Sequence, residues 1–353
     1  MSKSLIFSDL HCHNHKDKND RLQDCVQVLD WIFATAKKHS CKYIFFLGDL
    51  FHERAKIDVL NYLKTFESFM RHAADFEVIL LVGNHDMYHK ERWDVNSVKP
   101  LSAFPNIKII ESPTTTEIDG RRIDWLPHSD NPLKYLEDFP NKRDILFAHL
   151  AVHGAMMNTC HGIKADVIIE HDHEMIPVDK HVFGGWHHVF LGHYHGAQKL
   201  ADHIEYVGSP LQLSFGEAFQ QKHIILFDLE TSEKQYIINE FSPKHFIVSP
   251  TDIENETYDL KNHFVRVAVE DLGKKDLIDL QRKIIKELCP LSLDLKQVEK
   301  KLDDALVISD AKAILNDTKK MLEQYVNDKG LPTGLNREKL LKIGEKCLDA
   351  ISS

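Results

Sequence analysis

With 353 residues, 43% of them hydrophobic and 28% charged, the chain has the composition of a folded globular protein, with room for one large domain and a smaller one. A formal net charge of −10 excludes a global basic field that would gather a polyanion, so nucleic-acid binding must use local patches, bound cations or a partner subunit. No apolar run is long enough to span a bilayer and no signal-peptide core follows Met1; six scattered cysteines without a Cys-x-x-Cys pair add the expectation of a cytoplasmic protein with reduced thiols.

Residues 3–8 read as a buried strand that ends in Asp9-Leu10-His11-Cys12-His13-Asn14-His15. Asp20 is an N-cap candidate for a helix whose apolar positions Leu22, Val26, Leu29, Ile32, Phe33 and Ala36 keep helical period. A second strand at 43–47 ends in Gly48-Asp49-Leu50-Phe51-His52. The next helix carries Val59, Leu60, Leu63, Phe66, Phe69 and Met70 toward a core, and the apolar run 76–82 stops at Gly83-Asn84-His85-Asp86. This βαβαβ alternation predicts a parallel sheet.

Short strands follow at 107–110, 122–125, 145–147, 189–191, 205–207, 224–227 and 235–238. The fifth-from-last of these, 145–147, leads into His149, and 189–191 leads into Gly192-His193-Tyr194-His195. The stretch 150–187 reads as loop, with His153, His161, His171 and His173 on its surface or at the rim of a site. Composition shifts near 243–250, after which 264–269 alternates as a strand and 276–288 is an amphipathic helix. A helix at 311–325, a linker at 330–334 and a terminal helix at 337–351 complete the chain. The expected division is 1–245, 246–330 and 331–353.

Five strand ends therefore present Asp9 and His11, Asp49, Asn84, His149, and His193 with His195. Loops beyond the carboxyl ends of strands in such sheets can meet in one crevice. This many oxygen and nitrogen donors exceeds what one zinc takes and suits two ions sharing a carboxylate. Asp49, alone on its loop, is the candidate bridge. In Asp9-x-His11 and His193-x-His195 alternate side chains share one side of an extended segment, so both can face a metal.

The set Asp9-Leu10-His11, Gly48-Asp49, Gly83-Asn84-His85-Asp86, His149 and Gly192-His193-Tyr194-His195 resembles the calcineurin-like metallophosphoesterases, with five motifs in the family's order. His52, three residues past Asp49, and the stretch from Val207 through Gly208-Ser209-Pro210 to Glu217, followed by Lys222, are similar to DNA-repair nucleases of the Mre11/SbcD type, a group that includes bacteriophage recombination exonuclease subunits. The resemblance implies an α/β fold of four layers, α-β-β-α, with a small α/β cap domain and a C-terminal helical tail. It implies that Asp9, His11, Asp49 and His195 hold one ion, that Asp49, Asn84, His149 and His193 hold the other, and that Mn²⁺ is the activating metal. It further implies that His52 contacts the phosphate. The implied activity is a two-metal DNA exonuclease that also cleaves single strands internally, in recombination, repair or replication. Its implied partner is an ABC-type ATPase of the Rad50/SbcC kind, in a heterotetramer built on a homodimer. The alternative is a metallophosphoesterase acting on a small nucleotide or phosphate ester.

His85 adjoins Asn84 but is expected to turn toward the scissile group and to stabilise or protonate the leaving oxygen. Asp86 either orients His85 or is a structural carboxylate of the turn. Candidate DNA contacts are Lys16, Lys18 and Arg21, Arg54 and Lys56, and Lys90 and Arg92, because each group follows a site loop and a backbone-tracking groove needs charge beside the chemistry. The terminal helix, apolar on one stripe, docks either on its own domain or in the partner ATPase.

Overall fold

Tyr43–Phe46 is apolar at every position and Lys3–Phe7 over its last three, which is the pattern of strands covered on both faces. A computed structural model describes residues 2–14, 21–140, 142–158, 163–164, 168–170, 173–175, 177–269 and 272–297 and builds two six-stranded sheets from these runs. The first runs, edge to edge, Lys234–Ile238, His223–Asp228, Lys3–Phe7, Tyr43–Phe46, Glu77–Leu81 and Ile107–Ile110. Its last four strands pair in parallel and the first two antiparallel. The second runs Gln198–Ala201, Ile204–Tyr206, His188–Gly192, Ile145–His149, Arg121–Leu126 and Thr114–Ile118, parallel through the middle with antiparallel edges.

Alternation along each strand divides the core into layers. Ile6, Phe45, Ile79 and Leu81 of the first sheet meet Ile123, Trp125, Phe147 and Phe190 of the second. The intervening residues Leu5, Phe7, Ile44, Phe46 and Leu80 face outward onto helix α1 (Arg21–Lys38), which buries Val28, Leu29, Ile32 and Phe33 against them. Leu146, Ala148 and Leu191 face the other way, onto Leu136 of the short helix Pro132–Asp138, Phe183 and Trp186. The result is the expected α-β-β-α order.

Helix α2 (Val59–His72) departs from the expectation. It forms where the sequence places it, capped by Asp58, whose side chain accepts from Leu60 N and Asn61 N. Yet the residues it buries are Asn61, Thr65, Ser68 and Phe69. Val59, Leu60, Leu63 and Met70 point outward, the first of them 82% exposed. The edge strand Thr114–Ile118 and the helix Pro132–Asp138 were not legible, because each buries only one or two side chains and carries no continuous apolar signal.

Near the end of the described residues, His245–Val248, Phe264–Val269 and Ser292–Gln297 form a parallel three-stranded sheet. The helix Lys274–Leu288 covers it through Leu277, Leu280, Ile284 and Leu288. The predicted helices at 311–325 and 337–351 and the linker at 330–334 lie outside the described residues, as do Asp20, His161 and His171. No helix among the described residues is long and apolar enough to cross a membrane.

Candidate metal centre

The loops that leave the parallel strands are laced together by their backbones. Asp9 N donates to Gly48 O (2.9 Å), His11 N to Asp49 O (3.0 Å) and Cys12 N to Leu50 O (2.8 Å). Asp9, His11, Asp49 and His193 all adopt positive φ, at 53°, 48°, 65° and 99°. Side-chain-bearing residues rarely take this conformation, and several together mark backbone strain held at a site. Glycine is required at two neighbouring points. Gly48 has φ of 103°, and a Cβ there would lie 2.5 Å from His149 Nδ1. A Cβ on Gly83 would run into the Asp49 carboxylate.

All seven expected ligands converge. Asp9, His11 and His195 offer atoms within 4.8 Å of one another, and so do Asp49, His149 and His193. His195 Nε2 stands 3.0 Å from His11 Nε2. Asn84 Oδ1 lies between His149 Nε2 at 2.9 Å and His193 Nδ1 at 3.1 Å. Asp49 reaches both groups, its Oδ2 being 3.6 Å from His11 Nε2 and 3.3 Å from His149 Nε2. Its Oδ1 accepts from His85 N at 2.8 Å. Except for the half-exposed His195 ring these side chains are buried.

Electrostatics match a site that gathers cations. Burial alone would raise Asp49, but the imidazoles of His149, His85 and His11 outweigh it and hold its carboxyl well below the usual range. Burial would lower His149, but the Asp49 charge and hydrogen bond push it up to about 9. Burial and facing imidazoles drive His11 and His193 well below the ordinary histidine value, which keeps them in the neutral form that binds metals. Outer partners set the tautomers. His149 Nδ1 donates to Leu47 O at 2.7 Å, so Nε2 is aimed inward and is the atom an ion would take in place of its proton. Two clusters of hard oxygen and imidazole donors joined by one carboxylate fit a pair of divalent ions.

His52 and His85 stand outside these two clusters, at the mouth. Their rings stack at 5.7 Å, and His85 lies edge-on to His11 at 4.8 Å. His85 Nδ1 is 2.5 Å from His52 O; a carbonyl only accepts, so the Nδ1 proton is fixed and Nε2 is left for substrate. His11, His52 and His85 also bring ligand atoms within 4.8 Å of one another, a third grouping that shares His11.

The orientation of His85 by Asp86 is not what the structure has. Asp86 is buried and its carboxylate accepts from Asp49 N (2.8 Å), Gly83 N (2.9 Å) and Leu50 N (3.0 Å). It ties two ligand loops together, and the His52 carbonyl takes the place expected for it at His85. Asp86→Ala is expected to leave three buried N–H groups without an acceptor, at about 1–3 kcal/mol each. Thermal melting of the metal-free chain should show the loss; an unchanged melting point with reduced turnover would restore the His85-orienting role.

Among the expected DNA contacts, Arg21 is also corrected. It is 1% exposed, donates to Gln212 O at 2.5 Å, pairs with Asp24 at 3.0 Å and lies 4.7 Å over the Phe264 ring. It joins α1 to the three-stranded sheet and is out of reach of a polyanion. Arg54 commits Nε to Asn84 O at 2.8 Å, Arg92 pairs with Asp94, Lys56 is exposed and Lys90 half-buried. Lys16 and Lys18 lie outside the described residues.

Sequence reasoning missed His128, which follows the strand Arg121–Leu126. It is buried, and its ring sits 6.1 Å from His149 and 6.2 Å from His193. Burial and the neighbouring His149 lower it to about 3. The strand-end rule that found the seven donors would have found it had Pro127 not broken the pattern.

A family model described as calcineurin-like phosphoesterase matches residues 2–197, more than half of the chain. Exonuclease subunit 1 of Enterobacteria phage T4 is 25% identical over 270 residues, covering 74% of this chain and 73% of that protein. A putative phosphoesterase, 078R, of Invertebrate iridescent virus 3 is 23% identical over 206 residues, covering 55% of this chain and 54% of its own length. Among solved structures, nuclease MPE of Pseudomonas putida aligns over 66% of this chain and 87% of its own, at 14% identity and a TM-score of 0.31.

Proposed function

Because the chain belongs to the calcineurin-like phosphoesterase family, we propose that it is a two-metal DNA nuclease: an exonuclease that also cleaves single strands internally, active with Mn²⁺, in DNA recombination, repair or replication. The observation that carries the reading is the meeting of seven donors in two clusters across Asp49, with His85 and His52 beside them. DNA as the substrate is supported by the similarity to a phage exonuclease subunit along three quarters of the chain.

In this reading Asp9, His11, Asp49 and His195 hold one ion and Asp49, Asn84, His149 and His193 the other. Two divalent ions held there would supply Lewis acidity to the phosphoryl group and a nucleophilic water near neutral pH. His52 contacts the phosphate. His85, anchored through Nδ1, presents Nε2 to the leaving oxygen and donates to it in the imidazolium form. Lys90, Arg92 and Lys56 lie beside the path of the DNA backbone.

Residues 1–245 form the nuclease domain, 246–330 the cap with its following helix, and 331–353 the linker and partner-binding helix. The partner is an ABC-type ATPase, and the assembly is a heterotetramer built on a homodimer. The outward side chains Val59, Leu60, Leu63 and Met70 of α2 support the homodimer, since exposed apolar groups on one helix seek a cover. Cutting the chain before Gly330 should abolish co-purification with the ATPase and spare basal Mn²⁺-dependent digestion. Retained co-purification would place the contact elsewhere.

Digestion of end-labelled duplex DNA in Mn²⁺, with and without the ATPase, tests the activity. Release of nucleotides is the expected result. Turnover of a small phosphodiester or monoester with intact DNA would favour the small-substrate enzyme instead.

A further inference from the structure

Under the His193-x-His195 segment lies a buried cage formed by Ser209, Leu213, Glu217 and Lys222. Glu217 Oε1 accepts from His195 Nδ1 at 3.0 Å. Its Oε2 is 2.6 Å from Lys222 Nζ and accepts from Leu213 N (3.1 Å) and Ser209 Oγ (3.3 Å). Lys222 Nζ shares its remaining protons among the carbonyl of His195 itself (2.8 Å), Ser209 Oγ (2.9 Å) and Gln220 Oε1 (3.0 Å). Glu217 and Lys222 are 7% and 5% exposed.

A buried ion pair is a poor device for stability alone, because an apolar pair of similar volume does as well. An apolar pair cannot set a tautomer. With the Nδ1 proton of His195 donated to Glu217, its Nε2 lone pair is aimed at His11 Nε2, 3.0 Å away. We propose that Glu217 is the positioning residue for the Asp9–His11–His195 ion, acting through the His195 ring, while Lys222 holds both Glu217 and the His195 backbone in register. The carboxylate–imidazole–metal relay tightens metal binding at this half of the centre only. His149 uses the Leu47 carbonyl for the same purpose, so the two halves differ in the charge behind their histidines. The inference rests on the two-metal reading of the site.

Calorimetric titration with Mn²⁺ tests it on the full chain. E217L/K222M removes both charges and the acceptor for His195 Nδ1 together and leaves no lone buried ion. The wild type is expected to take two equivalents; in E217L/K222M one of them should weaken by about 10–100-fold and the other stay unchanged. Two wild-type affinities in E217L/K222M would overturn the inference and leave the two-metal reading standing. A wild type that takes up no metal would overturn both. Nitrogen-15 NMR of the Zn²⁺-loaded wild type needs no variant to fold: a proton on Nδ1 of His195 is expected, and a proton on Nε2 contradicts the proposal.

Discussion

Asp49→Asn is expected to remove Mn²⁺-dependent digestion and to empty both metal positions. The reason is topological. Asp49 is the residue whose carboxylate touches both clusters, at 3.6 Å from His11 Nε2 and 3.3 Å from His149 Nε2. It also supplies the charge that faces the buried His149 and the acceptor for His85 N. An asparagine keeps the shape and one oxygen, but its amide nitrogen cannot ligate and it brings no charge to offset two cations. Loss of affinity should exceed the roughly 10–100-fold that an outer partner costs, because the bridge is a direct ligand. Titration calorimetry and digestion of labelled duplex measure the two effects side by side. Retention of one tight equivalent with activity gone would mean that Asp49 serves a single ion.

His85→Ala is expected to abolish turnover with both ions still bound. The metal clusters are complete without His85, which stands at the mouth with Nδ1 held by the His52 carbonyl and Nε2 free. Removal of a positioned proton donor lowers the rate by typically 10²–10⁴-fold. The expected signature is a fall in kcat, an unchanged metal count and little change in KM, because the group acts on the leaving oxygen rather than on substrate in its ground state. Loss of an ion in His85→Ala would assign His85 to the grouping it makes with His11 and His52, and the proton role would fall.

The converging donors were legible because each follows an apolar run that reads as a covered strand: Phe7 before Asp9, Leu47 before Asp49, Val82 before Asn84 and Leu191 before His193. A polar side chain at such an end lies in the crevice whatever the rest of the chain does. Sidedness was not legible. The apolar stripe of α2 marks an amphipathic helix, yet of it only Phe69 and, in part, Phe66 turn inward, beside Asn61, Thr65 and Ser68, with Asn61 Nδ2 donating to Cys12 O at 2.7 Å beside the site loop. Formal charge misled at Arg21, since a guanidinium can be satisfied by a carbonyl, a carboxylate and a ring inside the protein. Asp86 could not be resolved from spacing, because two of the three backbone N–H groups it accepts from, those of Asp49 and Leu50, belong to another loop and only the folded chain brings them there. Glu217 lies on a short helical turn, Phe215–Glu217, with no strand-end signal.

The central claim is that Asp49 joins two ion positions. Anomalous diffraction from crystals of the wild-type chain soaked in Mn²⁺ tests it most directly. Two peaks are predicted, one among Asp9, His11 and His195 and one among Asn84, His149 and His193, with the Asp49 carboxylate between them. A single peak, or one seated among His11, His52 and His85, would contradict the account.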